Sequence, residues 1–373
     1  MGNNLNPLRL SSNRVWSTYI GGRLLEDWQG TANPRDGEFP EDWVASVTKA
    51  RNTVNYSQDE GLSYVEVNNK KVLLSHLITD ALEAMLGKEH VKSYGCDLGI
   101  LVKLIDSAER LTIQVHPDVQ IAEQLFHSRY GKTEAWYILG GRKIDKEPPY
   151  ILLGFKPGIS RTKWEQIFRE QDINSMLDSL HKFYIQPGQV FLLEGGIPHA
   201  IGPGCFLVEI QEPTDYTIRV ERTTPSGKRI PDHLCHQGIG FDRMFDCFKY
   251  HGYTRQETIE RWFPEPIVSY RSDFVYEKIL IDNNRTPYFS MNDLLISDSF
   301  SIQSKDAFSI IIVISGSGKV TWNNKNMTIG KGDRLFLPAG LKELQIKSIF
   351  PNEPLHLIRC FPPRPVGIGE RNG

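Results

Sequence analysis

The sequence predicts a mainly β protein with helical insertions, built as two jelly-roll β-barrels in tandem. Three observations lead there. Residues 182–220 and 270–365 break into short apolar runs between turn residues, at the spacing of a β-sandwich. GQVFLLEGGIPH at 188–199 and GDRLFLPAGLKE at 332–343 share one turn–strand–turn layout, a weak internal repeat. Helical periodicity is confined to a few stretches. Jelly-roll barrels close two sheets and protect their edges, so a tandem pair is a stable architecture, and 373 residues are enough for two cores.

In chain order, residues 1–70 alternate short apolar runs with turns at Gly21-Gly22, Asn33-Pro34, Asp36-Gly37 and Asn68-Asn69. Leu77, Ala81, Leu82, Met85 and Leu86 predict one helix over 73–87. Leu111–Val115 reads as a strand that Pro117 ends, because proline brings no N–H to a ladder. A second strand is expected over Glu134–Leu139. Ser160 can cap a helix carrying Trp164, Ile167 and Phe168, with a break near Asp172 and a second helix over 173–181. The Pro/Gly/Ser-rich stretch 222–232 is a natural domain edge, and 241–263 mixes helical and irregular signals. Nine strands are expected from Phe274 to Cys360. The division that follows is a domain over 1–232 with a helical insertion at about 160–182, a connection over 233–269, and a second barrel over 270–373.

Composition removes several function classes. Apolar content is 40%, charged content 24% and net charge −2, with no basic run interleaved with aromatics, so nothing suggests a nucleic-acid partner. No apolar run reaches the length of a membrane span, and the first residues lack the apolar core of a secretory signal. Five scattered cysteines without a CxxC pair suit a reducing cytoplasm.

Four residues form the chemical centre of the reading. Gln114 and His116 sit two apart on a strand and point the same way. Glu134 opens the next strand, after Gly131 and Lys132. His199 follows a Gly-Gly turn and a proline. Two imidazoles and a carboxylate suit Zn²⁺, and a set with open positions is catalytic; the amide leaves room for Fe²⁺, Mn²⁺ or Co²⁺.

LTIQVHPD, GKTEAWYIL, GQVFLLEGGIPHAIG and LVEIQEPTDYTIRV resemble the signature segments of type I phosphomannose isomerases, in the short bacterial form. The resemblance is dense over 111–222 and looser at both ends. It implies two cupin barrels and an isomerase acting on a small sugar phosphate, mannose 6-phosphate to fructose 6-phosphate through a cis-enediol. It also implies one Zn²⁺ per chain on Gln114, His116, Glu134 and His199, with the chain working as a monomer or homodimer. Lys132 matches the lysine of the family's KxE step, beside substrate oxygens or phosphate. Glu209, ten residues after His199, matches a glutamate near the metal and is the expected proton-transfer base, or else a support for His199. Arg219 matches an arginine suited to phosphate or an enediolate, with Arg222 its alternate because Val220-Glu221-Arg222 departs from the family pattern. Thr112 falls where the family places a small hydroxyl residue near the phosphate. The rivals are another cupin enzyme and a sugar-binding cupin without turnover. Two patterns are discounted: His233-Leu-Cys235-His236 has only close-spaced ligands in a polar stretch, and SGSG at 315–318 lacks the Lys-Ser/Thr and helix of a phosphate loop. The second barrel holds no histidine between 309 and 345 and is expected to carry no metal.

Overall fold

The computed structural model describes residues 5–51, 58–304, 306–350 and 352–365. Four sheets stack in sequence, with helices on the first. A five-stranded sheet runs in the order Leu180–Tyr184, Tyr150–Phe155, His199–Ile201, Gln114–Val115, Ile218–Arg219. It faces a six-stranded sheet ordered Val190–Leu193, Glu134–Gly141, Cys205–Gln211, Leu101–Asp106, Glu41–Val44, Arg14–Val15. Leu111, Trp136, Ile151, Phe191 and Leu207 fill the space between them and make the first barrel. The second barrel pairs a seven-stranded sheet with a four-stranded one around Ile311, Val313, Leu335 and Ile346.

The two large sheets pack back to back. Alternate residues of a strand face opposite sides, so Val102, Leu104, Tyr137, Val208 and Ile210 leave the first barrel outward and meet Met291, Ile310, Ile312 and Ile358 of the second. This explains why Ser309–Ser315 reads as a continuous apolar run: Ile310 and Ile312 face the other barrel, while Ile311 and Val313 face their own. Polar pins cross the same interface. Arg334 donates to Asp42 at 2.7 Å, and Tyr137 Oη donates to Asp293 at 3.1 Å. The first strand, Leu8–Arg9, hydrogen-bonds into the second barrel's sheet against Arg334–Leu337.

On the outer face of the five-stranded sheet lie the helices Arg161–Glu170 and Ile173–Asp178, burying Trp164, Ile167, Phe168 and Met176. Ser160 caps the first as expected, accepting from Lys163 N at 3.2 Å, and Asp172 caps the second. The stretch expected as one helix over 73–87 is two, Leu74–Asp80 and Leu82–Leu86. Ala81 leaves the helical region there, which lets Leu74 and Ile78 before it and Met85 and Leu86 after it reach one core. The strand expected over 111–115 pairs only at Gln114–Val115. Several elements had no expectation. The helices Arg23–Trp28 and Lys88–Tyr94 and the strand Tyr150–Phe155 are among them, Val119–Phe126 is a helix capped by Asp118, and Ile267–Arg271 is an exposed edge strand without a buried face to give it a pattern.

Candidate functional site

The site lies inside the first barrel, where three loops meet on the chain at Pro117-Asp118. Gly131 and Gly195 allow that meeting. A Cβ on Gly131 would stand 2.8 Å from the Asp118 carbonyl carbon, and one on Gly195 2.6 Å from Asp118 N. Lys132 N donates to Pro117 O at 3.0 Å, and Gly196 N donates to His116 O at 2.7 Å. Glu212 ties the lysine loop from the other side, accepting from Gly131 N at 3.1 Å and Thr133 N at 2.8 Å.

Ladder register then sets the side chains. His199 and Arg219 both pair with Gln114, so the three stand in a row across the five-stranded sheet. Glu134 pairs with Gln211 and Trp136 with Glu209 on the six-stranded sheet, which places Glu209 two residues along from Glu134, about 7 Å.

His116, Glu134 and His199 bring one ligand atom each within 4.8 Å of one another, all buried. Both imidazoles are oriented by backbone carbonyls. His116 Nδ1 donates to Tyr216 O at 2.8 Å, and His199 Nδ1 donates to Ile197 O at 2.9 Å. A carbonyl can only accept, so each ring turns a bare Nε2 lone pair toward Glu134. His116 Nε2 lies 3.3 Å from one carboxylate oxygen and His199 Nε2 3.2 Å from the other. Lone pairs facing carboxylate oxygens repel unless a cation lies between them. The Lys132 ammonium serves one side, 2.7 Å from His116 Nε2 and 3.0 Å from Glu134 Oε2. On the other side Glu134 Oε1 is buried without a hydrogen-bond donor. The Gln114 amide reaches the same place, its Nε2 donating to His199 Nε2 at 3.2 Å, and a flip of the amide would turn its oxygen there as a ligand atom. An orphaned carboxylate oxygen, two lone pairs and an amide form a donor set that fits a divalent ion.

Electrostatics agree with that fit. Burial and then the Lys132 charge lower the His116 imidazole to about 3, so it stays neutral and able to ligate. Burial alone would raise Glu134, but the Lys132 ammonium outweighs it and holds the carboxyl well below its usual range.

The neighbouring cavity is lined by Thr112, Gln114, Lys132, Glu209 and Arg219, so these five border the space beside the His116–Glu134–His199 cluster. Glu209 Oε1 accepts from Trp136 Nε1 at 3.0 Å, and Oε2 lies 3.2 Å from Lys103 Nζ. Burial raises the Glu209 carboxyl above its ordinary value, against the pull of Lys103. Arg219 donates to Leu234 O at 2.9 Å and borders the cavity. Arg222 does not: it turns outward to Asp232 at 2.8 Å. The His233–His236 stretch forms a short helix that buries Leu234 and Cys235.

Sequence reasoning missed Lys103 and its supports. Lys103 is buried between Glu209 and Glu41, 3.6 Å from the latter, over the ring of Trp43. Tyr19 Oη holds the other Glu41 oxygen at 2.9 Å. The available signal was a lysine in the middle of LVKLID, a position that only a buried charge partner explains.

A model of the type I phosphomannose isomerase catalytic domain matches residues 33–134, and a model of the mannose-6-phosphate isomerase cupin domain matches 283–350. The mannose-6-phosphate isomerase ManA of Bacillus subtilis is 27% identical over 67% of this chain and 72% of its own length. The mannose-6-phosphate isomerase of Streptococcus mutans is 26% identical over 66% and 70%. Among solved structures, the mannose 6-phosphate isomerase from Bacillus subtilis shares the fold, with TM-score 0.74 and 24% identity over 95% of this chain and 99% of that one. No helix among the described residues is long and apolar enough to cross a membrane. Family models on both barrels, relatives aligned over about two thirds of the chain and a buried metal-type cluster between the first barrel's sheets point one way: the chain is similar to the type I phosphomannose isomerases in sequence and in fold.

Proposed function

We propose that the chain interconverts mannose 6-phosphate and fructose 6-phosphate with one Zn²⁺ per chain, held by Gln114, His116, Glu134 and His199. The observation that carries this is the pair of carbonyl-oriented imidazoles whose bare Nε2 atoms face both oxygens of Glu134, beside a cavity bordered by cations. A zinc ion bound there supplies Lewis acidity to the sugar's carbonyl and adjoining hydroxyl oxygens.

The chain's own residues do the rest. The reaction moves one proton from C2 to C1 and a second from the C2 hydroxyl to the C1 oxygen of the open-chain sugar, through a cis-enediol, and the reverse in the other direction. Glu209 takes the carbon-bound proton and returns it to the neighbouring carbon, and burial raises its carboxyl toward the working range of a base. Lys103 holds Glu209 in place from the side away from the ligands. Lys132, at the cluster, donates to sugar oxygens as negative charge develops. Arg219 offers its fork to the phosphate, and Thr112 adds a neutral donor in the same cavity. Anchoring the remote phosphate contributes to rate by positioning the reacting carbons.

The working state proposed is a monomer or a homodimer. The five cysteines are free thiols, four of them buried, which supports a reducing cytoplasmic setting. A coupled isomerase assay over a panel of sugar phosphates, with metal analysis of the same sample, tests the proposal. Turnover of mannose 6-phosphate with about one zinc per chain supports it. Oxygen uptake, or tight sugar binding without turnover, overturns it.

A further inference from the structure

The second barrel repeats the strand order of the first, and ladder register maps one onto the other. In the first barrel Leu193 pairs with Glu134, and Glu209 pairs with both Trp136 and Lys103. In the second, Leu337 pairs with Ser309, and Arg359 pairs with both Ile311 and Asn292. The repeat GQVFLL/GDRLFL sets Leu193 on Leu337. Ser309 then stands where Glu134 stands, Arg359 where Glu209 stands and Asn292 where Lys103 stands. The charge of the site is inverted: a guanidinium replaces the carboxylate, and a serine replaces the metal-type acid.

Arg359 is 8% exposed, deep for an arginine. Its Nε donates to Ser309 Oγ at 3.0 Å, and its Cζ lies 4.5 Å from the centre of the Phe361 ring. Among the described residues its terminal nitrogens have no hydrogen-bond acceptor and no carboxylate within ion-pair reach. Glu277 is the nearby acid, but its two oxygens are taken by Asn292 at 2.8 Å and Ser269 at 3.0 Å. Burial lowers the guanidinium to about 10, with Glu277 opposing. With no protein acceptor and no place among the fully buried polar atoms, the fork opens onto the cavity, where an anion can reach it. Arg359 also borders a cavity of about 670 Å³, lined with Ser269, Glu277, Asn292, Ser301 and Pro363, within the size range of small-molecule sites.

We propose that the second barrel binds a small oxyanion, the phosphate or carboxylate group of a metabolite, in this cavity with the Arg359 fork as its principal donor. A planar fork with free terminal N–H groups matches two oxygens of either group. Lacking imidazole, the cavity recognises the anion directly.

The test titrates inorganic phosphate and, separately, citrate into the zinc-loaded full chain by calorimetry, for the wild type and Arg359→Met. Phosphate also enters the catalytic cavity, where it registers as competitive inhibition of turnover. The proposal expects a further binding event in the wild type, at least ten-fold weaker in Arg359→Met, with turnover unchanged. The anion that produces the event identifies the group recognised. Equal binding by both proteins, or no further event at millimolar concentrations of either anion, overturns it. Should Arg359→Met not fold, wild-type crystals soaked in selenate decide: an anomalous peak within hydrogen-bond reach of the Arg359 terminal nitrogens supports the site, and its absence refutes it. Isomerase turnover is read separately, so failure here leaves the catalytic proposal standing.

Discussion

Glu209→Gln separates catalysis from metal support. The substitution keeps the side chain's shape and one carbonyl oxygen, so Trp136 Nε1 retains an acceptor at the position it now uses, 3.0 Å away. It removes the charge opposite Lys103, which sits 3.2 Å from Glu209 and 3.6 Å from Glu41. Glu41 remains, so the buried ammonium is not left without a counter-charge, and the stability loss should stay near 1–3 kcal/mol, the range for one altered buried hydrogen-bonded group. The nearest charged partner of Glu209 is Lys103 rather than a member of the cluster, so zinc content should hold at about one per chain. The chemistry should suffer far more. Removing a general base lowers kcat on the order of 10²–10⁴-fold, about 3–5 kcal/mol of barrier. Steady-state kinetics on mannose 6-phosphate, metal analysis and urea unfolding on one preparation give all three readings. If zinc and activity fall together, Glu209 is a support for the ligands and Lys132 becomes the next base to examine. If kcat falls less than about ten-fold, Glu209 is not the base.

His116→Ala should strip the zinc and abolish turnover while far-ultraviolet dichroism stays that of a β protein; a variant that keeps stoichiometric zinc would remove His116 from the ligand set. Arg219→Ala should raise KM for the phosphorylated sugar by roughly 10–100-fold, the loss of a charge-assisted pair, with kcat falling too if the guanidinium also meets the enediolate; unchanged constants would place the phosphate elsewhere. Glu212 gives a pH dependence. Burial raises its carboxyl from 4.5 to about 7, so the native state keeps a proton that the unfolded chain has released, and stability should decline as pH rises across that window. Denaturant unfolding at pH 5 and pH 8 should show Glu212→Gln losing this decline, on the order of 1–3 kcal/mol, and an identical slope in both proteins would count against it.

The cluster was legible because each member sits at a strand end beside glycine or proline, where chemistry and backbone punctuation coincide. Pro117, Gly131 and Gly195 mark the loops that meet, and Gln114, His116, Glu134 and His199 flank them. Most strands of the second barrel were legible too, since Ser309–Ser315 and Ser299–Gln303 carry unbroken apolar or alternating patterns. What escaped depended on contacts distant in sequence. Lys103 looks misplaced until Glu41 and Glu209 are brought to it from 62 positions before and 106 after. Arg219 and Arg222 differ by three positions and could be separated only once Asp232 was seen to hold the second. Ile267–Arg271 is solvated on both faces, so no periodicity recorded it.

The back-to-back packing of the two large sheets decides how the chain can be divided. Val102, Leu104, Tyr137, Val208 and Ile210 form the rear wall of the first barrel, and the second barrel covers much of it with Met291, Ile310, Ile312 and Ile358. A fragment ending before residue 270 would present that wall as a broad greasy surface and self-associate rather than stay dispersed. It would also strand Asp42 without Arg334. Heating the whole chain should therefore melt both barrels in one cooperative step, with two resolved calorimetric peaks as the contrary result.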